Sequence, residues 1–329
     1  MAYSRWQTIL PFAIRHAKRP FAIRYMHSSL IDRLPLSRTA RGSLLALLST
    51  ASVSSIFIVS KWALNSLDQA TFSTWWYGAT MIVAILYQWV RRRPGLRASF
   101  PARGYWPIVT LGVISGFSTI FFFSAIKLID PAVASFFDRS ETVFAILLGL
   151  WLFGERFMRI ELAGMVVLLA GVVVLTYAGG QIVALGAVLV FAANLLYALG
   201  LALVKSRLQE IDAGALTGLR AVFGLPVLIG YAVIAGGWHV PTLTQIAGIF
   251  VGAFIGPFIG HMLYYRSLRY IDLSKASLLH ASQPLFVACF GLLVFGTLPD
   301  VRQWFGGALV LLGVYLLLAG RPRPATENA

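Results

Sequence analysis

Two acidic side chains lie three positions apart inside a long apolar stretch of the chain. Asp138 and Glu141, with Arg139 between them, interrupt residues 131–153, which are otherwise almost entirely apolar. Residues three apart share one face of a helix, whereas Arg139 is expected to turn away by about 100°. A charge at the centre of a bilayer costs at least about 2.5 kcal/mol, so it normally faces a partner or a wet cavity. Such a carboxylate pair could hold a cationic group or carry a proton.

The stretch that carries these charges is duplicated. Residues 125–172 reappear as residues 267–314 without a gap, and fourteen aligned positions hold identical residues. In the second copy, His280 and Gln283 stand where the first copy has its two acids. Glu141 lies about 15 Å into its apolar stretch, which is the middle of a hydrocarbon core about 30 Å thick. The two polar pairs are therefore expected to converge at matching depth.

The composition is that of an integral membrane protein. Only 12% of the 329 residues are charged, 58% are hydrophobic and the mean hydropathy is +0.79, whereas soluble domains average about 25% charged residues. The apolar blocks are continuous, unlike the alternating strands of membrane barrels, so we expect an all-α fold. The net charge of +15 lies in loops beside apolar spans, and we predict no nucleic-acid partner.

Ten apolar blocks are long enough to cross a bilayer as helices. We predict spans at 42–64, 71–90, 105–126, 131–153, 160–178, 181–204, 213–235, 243–265, 273–296 and 303–319. Because each repeat contains five helices, the two repeats must cross in opposite directions, an architecture that recurs in secondary transporters. The predicted fold class is an all-α integral membrane protein with ten transmembrane helices in two inverted five-helix repeats.

The distribution of Lys and Arg predicts the orientation. If the N-terminus is cytoplasmic, 22 of the 27 Lys and Arg residues fall on the inner side, as the positive-inside rule requires. We therefore predict a multi-pass protein of the cell (inner) membrane with both termini in the cytoplasm. The domains are a basic tail at 1–41, in which Met26 could be the true start, repeats at 42–178 and 181–319, and a tail at 320–329.

Residues 42–319 resemble the EamA-type, ten-span branch of the drug/metabolite transporter superfamily. The likeness is carried by Lys61 and Lys205, which close the first and sixth spans, by Arg220 in the seventh, and by the run PAVASFF…ETVFAILLGLWLFGERF. It implies movement of small organic solutes through a central cavity lined by spans one to four and six to nine. The chain departs from the pattern at Trp76, which stands where the first copy would match Arg220.

Two interpretations of the central charges stay open. Arg220 lies close in depth to Glu141 by residue count, so this pair could simply fasten two helices. Alternatively, Asp138 or Glu141 binds a cationic group of the cargo or carries a coupling proton, with His280 and Gln283 completing the site. His280 could also bind a proton, although a hydrogen bond between helices is the simpler role for it.

Four further side chains are candidates for the cavity wall. Asn194 lies well inside the sixth span, where an amide rarely faces lipid. Trp76 and Tyr197 could contact a cationic or aromatic group, whereas most other aromatic residues should form the interfacial belt. Lys61 is, with Arg220, one of two cations expected near the cavity.

Three residues are predicted to act in hinging or packing. Pro257 and Pro284 remove backbone donors from the eighth and ninth spans and so allow kinks. Gly256 belongs to a four-residue glycine spacing that lets helices pack closely. Plain packing is the simpler interpretation of all three.

The sequence favours a secondary transporter that exports a small organic metabolite, such as an amino acid, amine or drug-like solute, by alternating access, with possible proton coupling. The alternatives are a translocator of lipid-linked or nucleotide-linked sugars, which should have more cations around its cavity, and a scaffold that transports nothing. The sequence contains no Walker phosphate loop and no His-Glu-x-x-His pair, and we predict no enzymatic activity, cofactor or metal. The expected partners are a small-molecule solute, the lipid bilayer and protons, with the chain acting as a monomer or homodimer.

Overall fold

The computed structural model describes residues 37–90, 106–141, 143–144, 147–148, 159–204, 213–267, 270–271, 276 and 279–319. Most of these residues are helical, and no strand occurs in these ranges. Several predictions fall outside the described residues, namely those for the tail up to residue 36 with Met26, Lys205 and the C-terminal tail from residue 320.

Besides further helical residues that lie within 140–148 and 276–280, ten α-helices and one π-helical segment have bounds in this part of the chain. They are α1 (Arg38–Leu64), α2 (Gln69–Val90), α3 (Trp106–Leu128), α4 (Pro131–Asp138), α5 (Arg159–Val204), α6 (Ala213–Ala235), α7 (Leu243–Ala253), the π-helical segment Phe254–Ile259, α8 (Gly260–Ser267), α9 (Gln283–Phe295) and α10 (Val301–Ala319).

The helices have the length and polarity of a membrane protein. Within the described ranges, five are long and apolar enough to span a bilayer, namely Arg38–Leu64, Trp106–Leu128, Gln181–Gly200, Ala215–Ala235 and Leu243–Tyr264. Shorter apolar helices cover Leu162–Leu175, Gln283–Phe295 and Val301–Leu317. The prediction of an all-α membrane protein is confirmed.

Helix α5 runs from Arg159 to Val204 in one helical range of 46 residues. It contains the apolar segments Leu162–Leu175 and Gln181–Gly200, which lie on either side of the predicted boundary between the fifth and sixth spans. A straight helix of that length would extend about 69 Å, more than twice the hydrocarbon core. Its first part packs against α10 and its second part against α3. Two crossings fit within one helical range only if the chain bends, and Gly179 with Gly180 is the pair of residues best suited to a bend.

The contact between α5 and α10 reveals how the repeats are related. A Cβ placed at Gly171 would lie 2.7 Å from the carbonyl oxygen of Gly306, and one placed at Gly164 would lie 2.8 Å from that of Gly313. In the duplication, Gly164 is equivalent to Gly306 and Gly171 to Gly313. Each copy therefore makes the same contact to the other, which is the property of a two-fold axis.

The same reciprocity recurs in the rest of the bundle. A Cβ at Gly42 would lie 2.7 Å from the Ile271 side chain, and one at Gly186 would lie 2.6 Å from the Ile129 side chain. These are equivalent pairs of residues in the two copies. Helix α1 packs against α8 as α5 packs against α3, while α2 packs against its own counterpart α6. The two repeats are thus inverted copies that interlock around a central axis.

The close α5–α10 contact predicts that a methyl group added at a contacting glycine lowers the stability of the protein. Gly171→Ala is expected to lower the free energy of unfolding by about 1 to 3 kcal/mol, because the new methyl group would meet the backbone nitrogen of Val310 at 2.6 Å. Gly230→Ala is the matched control, since that helical glycine has no atom within 4 Å of the added carbon. It should be neutral or stabilise the helix by up to about 1 kcal/mol. Thermal unfolding in detergent measures both changes, and equal midpoints for the two variants would contradict the close approach.

Candidate functional site

The predicted fourth and ninth spans are both interrupted. Helix α4 ends at Asp138, Arg139 forms a turn, and helical structure resumes at Ser140. In the second copy, Ala281 and Ser282 form a turn before α9 begins. Arg139 and Ala281 occupy equivalent positions of the duplication. The prediction of a continuous helix for each of these spans is therefore wrong at one position, which is equivalent in the two copies.

Different groups accompany the two interruptions. Pro284 lies in the first turn of α9, where its missing N–H is tolerated, so the predicted backbone interruption coincides with a helix start. In the first copy, Asn194 of α5 donates from Nδ2 to the carbonyl oxygen of Asp138 at 3.0 Å and to Ser140 Oγ at 3.1 Å. Asn194 therefore binds groups on both sides of the turn, which explains why this amide is buried within the bundle.

The guanidinium group of Arg139 connects the two interruptions. Its Nη2 atom lies 2.8 Å from Asp138 Oδ2 and 2.8 Å from Gln283 Oε1, and its Nη1 atom donates to the carbonyl oxygen of His280 at 3.2 Å. The side chains of Arg139 and Asp138 are only 11% and 14% exposed. The prediction that Arg139 points away from Asp138 is wrong, because the helix ends between them and the long side chain folds back over that end. Asp138 of the first polar pair and Gln283 of the second thus meet at one guanidinium group.

His280 extends the same cluster to two other helices. Its Nε2 atom lies 3.1 Å from Ser49 Oγ of α1, and the Ser49 hydroxyl donates to the carbonyl oxygen of Gly260 at 2.7 Å. The imidazole ring also meets the ring of Tyr264 edge to face, with 4.5 Å between centroids. These contacts match the simpler role predicted for His280, a hydrogen bond between helices.

Glu141 differs from Asp138 in having no hydrogen-bond partner among the residues that the structure describes. Its side chain is half-buried, and the charges that act on it are those of Asp138, Arg139 and Arg220. The guanidinium carbon of Arg220 lies 5.6 Å from the ring centroid of Tyr197, within cation–π range. Arg220 lies within electrostatic range of Glu141, and the fastening of two helices by this pair stays a prediction.

The predicted hinge in the eighth span is a π-helical segment. Phe254–Ile259 contains both Gly256 and Pro257, and such segments occur frequently at functional sites. The side chain of His261 hydrogen-bonds the backbone of Pro257 and lies within electrostatic range of Arg220. The sequence interpretation missed His261, although its position four residues after a proline inside a span was an available signal.

Two predicted site residues, Trp76 and Lys61, bind other parts of the protein than the polar cluster around Arg139 and His280. Trp76 is 4% exposed and packs edge to face against Phe123 and in a tilted arrangement against Phe72, so it belongs to the aromatic core. Lys61 donates from Nζ to three carbonyl oxygens at the end of α3, those of Ile126, Lys127 and Ile129, at 3.0 to 3.1 Å. Its long side chain satisfies a helix terminus, and its place near the cavity stays a prediction.

A second polar cluster lies between the α1–α2 turn and the α6–α7 loop. Asp68 Oδ1 accepts a hydrogen bond from the backbone of Thr71 at 2.8 Å, and Oδ2 lies 3.2 Å from His239 Nδ1. The Thr71 hydroxyl donates to the carbonyl oxygen of Gly237 at 3.0 Å. Partial burial opposes the charge of Asp68, but the hydrogen bonds from Thr71 and His239 outweigh it and lower the pKa of this carboxyl group. The cluster therefore ties the two repeats together at this end of the bundle.

Comparison with known proteins is consistent with this architecture. The model of the EamA-like transporter family matches residues 40–177 and again residues 184–319. An uncharacterized transporter of Archaeoglobus fulgidus is 26% identical over 272 residues, which cover 80% of this chain and 92% of that protein. A protein crystal structure aligns with a TM-score of 0.62 at 18% identity and covers 87% of this chain and 100% of its own, which supports the fold alone. The resemblance noted in the sequence is confirmed.

The Asp68 cluster predicts a pH-dependent stability difference. Asp68→Ala should lower the free energy of unfolding at pH 7 by about 1 kcal/mol, because the N-terminus of α2 loses its capping acceptor. Asp68→Asn should cost less, since Asn caps a helix about as well as Asp. A lowered pKa means that the contribution of the Asp68 charge is complete above about pH 4 and is lost as the pH falls through the folded-state value.

Thermal unfolding at pH 7 and pH 3 measures this difference. The gap between the wild-type protein and Asp68→Ala should narrow at the lower pH, because the contribution of a carboxyl group with a lowered folded-state pKa begins to be lost once the pH falls below the unfolded-state pKa. A gap that is the same at both pH values would show that the charge of Asp68 contributes nothing.

Proposed function

The chain belongs to the EamA-like transporter family and is a multi-pass membrane transporter, and from this premise we propose that it is a secondary transporter of small organic metabolites. The observation that carries the proposal is the Arg139 bridge between the interrupted helices of the two repeats. In inverted-repeat transporters, substrate sites lie near the bilayer midplane, at the repeat interface, and discontinuous helices form them. The repeats would rock about this interface to expose the site to each side in turn.

Glu141 is the proposed contact for a cationic group of the cargo or for a coupling proton. Asp138 already has an ionic partner at 2.8 Å, so adding a cation there would require displacement of Arg139. Glu141 lies within the same field of charges but accepts no hydrogen bond from the described residues. A partly buried carboxylate without a hydrogen-bond donor gains most from an incoming cation or proton.

The position of Lys61 favours amines over phosphate-bearing cargo. Lipid-linked and nucleotide-linked sugars carry negative phosphates, which need cations around the cavity. Lys61 was one of two such cations expected, and its ammonium group is committed to three backbone carbonyls. An amine, amino acid or similar organic solute is therefore the proposed cargo class. Export from the cytoplasm across the cell membrane, with both chain termini inside, completes the proposal.

The proposed mechanical elements are two of the places where regular helix is lost. The π-helical segment around Gly256 and Pro257 and the turn before Pro284 interrupt helices that contribute to the central cluster. Fewer regular hydrogen bonds make these points the places where a span bends at least cost. Gly256 also packs closely, because a Cβ there would lie 2.5 Å from the Ile56 side chain, so it serves packing as well.

The cargo class can be identified by the stability of the purified protein. Amines, amino acids, sugars and nucleosides are tested one by one, and a ligand present at 100 times its Kd should stabilise the protein by about 2.7 kcal/mol. An amine or amino acid is expected to raise the unfolding temperature. Flux of that compound into proteoliposomes separates a transporter from a scaffold, and an absence of flux across the whole panel would contradict transport.

The role of Glu141 is tested in the same vesicles. Glu141→Gln should reduce pH-gradient-driven transport by about tenfold or more, because the amide can neither bind a proton nor attract a cation. Asp300→Asn is the matched control, since it also neutralises an acid but lies in the exposed turn before α10. If Glu141→Gln, alone and together with Asp138→Asn, transports at the wild-type rate, the proposed role of these acids is wrong.

A further inference from the structure

We propose that Arg139 is a tethered cation that fills an oxygen-lined cation site between the two repeats, and that its removal makes the protein dependent on a small external cation such as guanidinium or Na⁺. The inference rests on the proposed function only in placing the transport site at the repeat interface. It assigns Arg139 a positioning role, in which its charge holds the two interrupted helices together.

The acceptors around the guanidinium group form a set that suits a small cation. They are a carboxylate oxygen of Asp138, the amide oxygen of Gln283 and the backbone carbonyl oxygen of His280, at 2.8, 2.8 and 3.2 Å. In inverted-repeat transporters, the carbonyl groups of unwound helices coordinate the coupling ion. In this protein, the side chain of Arg139 occupies a position of that kind, beside the carbonyl group of an interrupted helix.

The duplication supplies acceptors from both copies but a cation from only one. The position equivalent to Arg139 in the second copy is Ala281, whose methyl group carries no charge. The second copy instead contributes the carbonyl group of His280 and the side chain of Gln283. One guanidinium group therefore serves both interruptions, and no second cation is available from the symmetric position to replace it.

The side chain of Arg139 is held only through the two terminal nitrogens of its guanidinium group. The Nε atom of Arg139 is buried without a hydrogen-bond partner in the described part of the chain, whereas both terminal nitrogens are bonded. A free guanidinium ion can reproduce the hydrogen bonds of these terminal nitrogens, since it presents the same planar donors. Truncation at Cβ would leave space for such an ion beside a carboxylate that is only 14% exposed.

The experiment compares thermal unfolding of the wild-type protein and Arg139→Ala in detergent, each with 20 mM guanidinium, Na⁺ or choline chloride. Arg139→Ala in choline should unfold about 10 °C below the wild-type protein, because an unpaired carboxylate and a carbonyl group are left buried. Guanidinium, and to a smaller extent Na⁺, should recover half or more of that loss. Neither ion should change the wild-type midpoint by more than about 1 °C.

Two controls separate this role from general destabilisation. Arg302→Ala removes an exposed arginine in the first turn of α10 and should respond equally to all three salts. Arg139→Lys should retain most of the stability in choline, because its ammonium group supplies a charge at nearly the same place. If Arg139→Ala in choline matches the wild-type protein, or if neither guanidinium nor Na⁺ restores it, the proposal is overturned.

A second variant keeps the test decisive if Arg139→Ala cannot be purified. Asp138→Asn combined with Arg139→Ala removes the charge that needs a counter-ion, so this double variant should fold in choline and show no specific response to guanidinium. A double variant that is as defective as Arg139→Ala would overturn the proposal. Absence of solute flux in every variant would refute the proposed transport but leave these unfolding results to decide the role of Arg139.

Discussion

The structure depends on the satisfaction of polar groups that are buried where two helices stop. Within hydrocarbon, a helix end exposes carbonyl groups that have no water to bind, and each unsatisfied group costs several kcal/mol. The end of α4 and the turn before α9 face this problem at the same point of the duplication. The guanidinium group of Arg139 and the amide of Asn194 resolve part of it with direct hydrogen bonds. Interrupted helices persist in this bundle because side chains of neighbouring helices reach them.

The inverted symmetry explains why the two interruptions lie side by side. Reciprocal glycine contacts fix α5 against α10, and equivalent pairs fix the other helices around the same axis. A residue near a two-fold axis in one copy is necessarily near its counterpart in the other. Arg139 can therefore reach Gln283 across the interface. The two copies share the same geometry at this point, but only the first copy has a charged residue there, since Ala281 stands where the first copy has Arg139.

The elements that could be predicted are those encoded in a repeat or in hydropathy. The offset of 142 residues paired Asp138 and Glu141 with His280 and Gln283, and this correspondence is enough to predict their convergence. Helical periodicity alone could not predict that Arg139 folds back onto Asp138, because the helix ends between them. The hydrogen bonds of Lys61 to the end of α3 could not be predicted for a related reason, since a long side chain can reach the end of another helix. The packing of Trp76 against Phe72 and Phe123 depends on side chains whose meeting no sequence spacing encodes.

The unequal state of the two acids bears on how transport could be coupled to binding. A ligand shifts a conformational equilibrium only through interactions that differ between the two states. The contact of Arg139 with Gln283 joins the two repeats, so its geometry must change when the repeats move, whereas Glu141 accepts no hydrogen bond from the described residues. A cationic cargo bound at Glu141, as proposed above, would add positive charge beside Arg139 and weaken the attraction between Arg139 and its acceptors. On this view, repulsion between the cargo cation and the tethered cation is the physical link from binding to movement of the repeats.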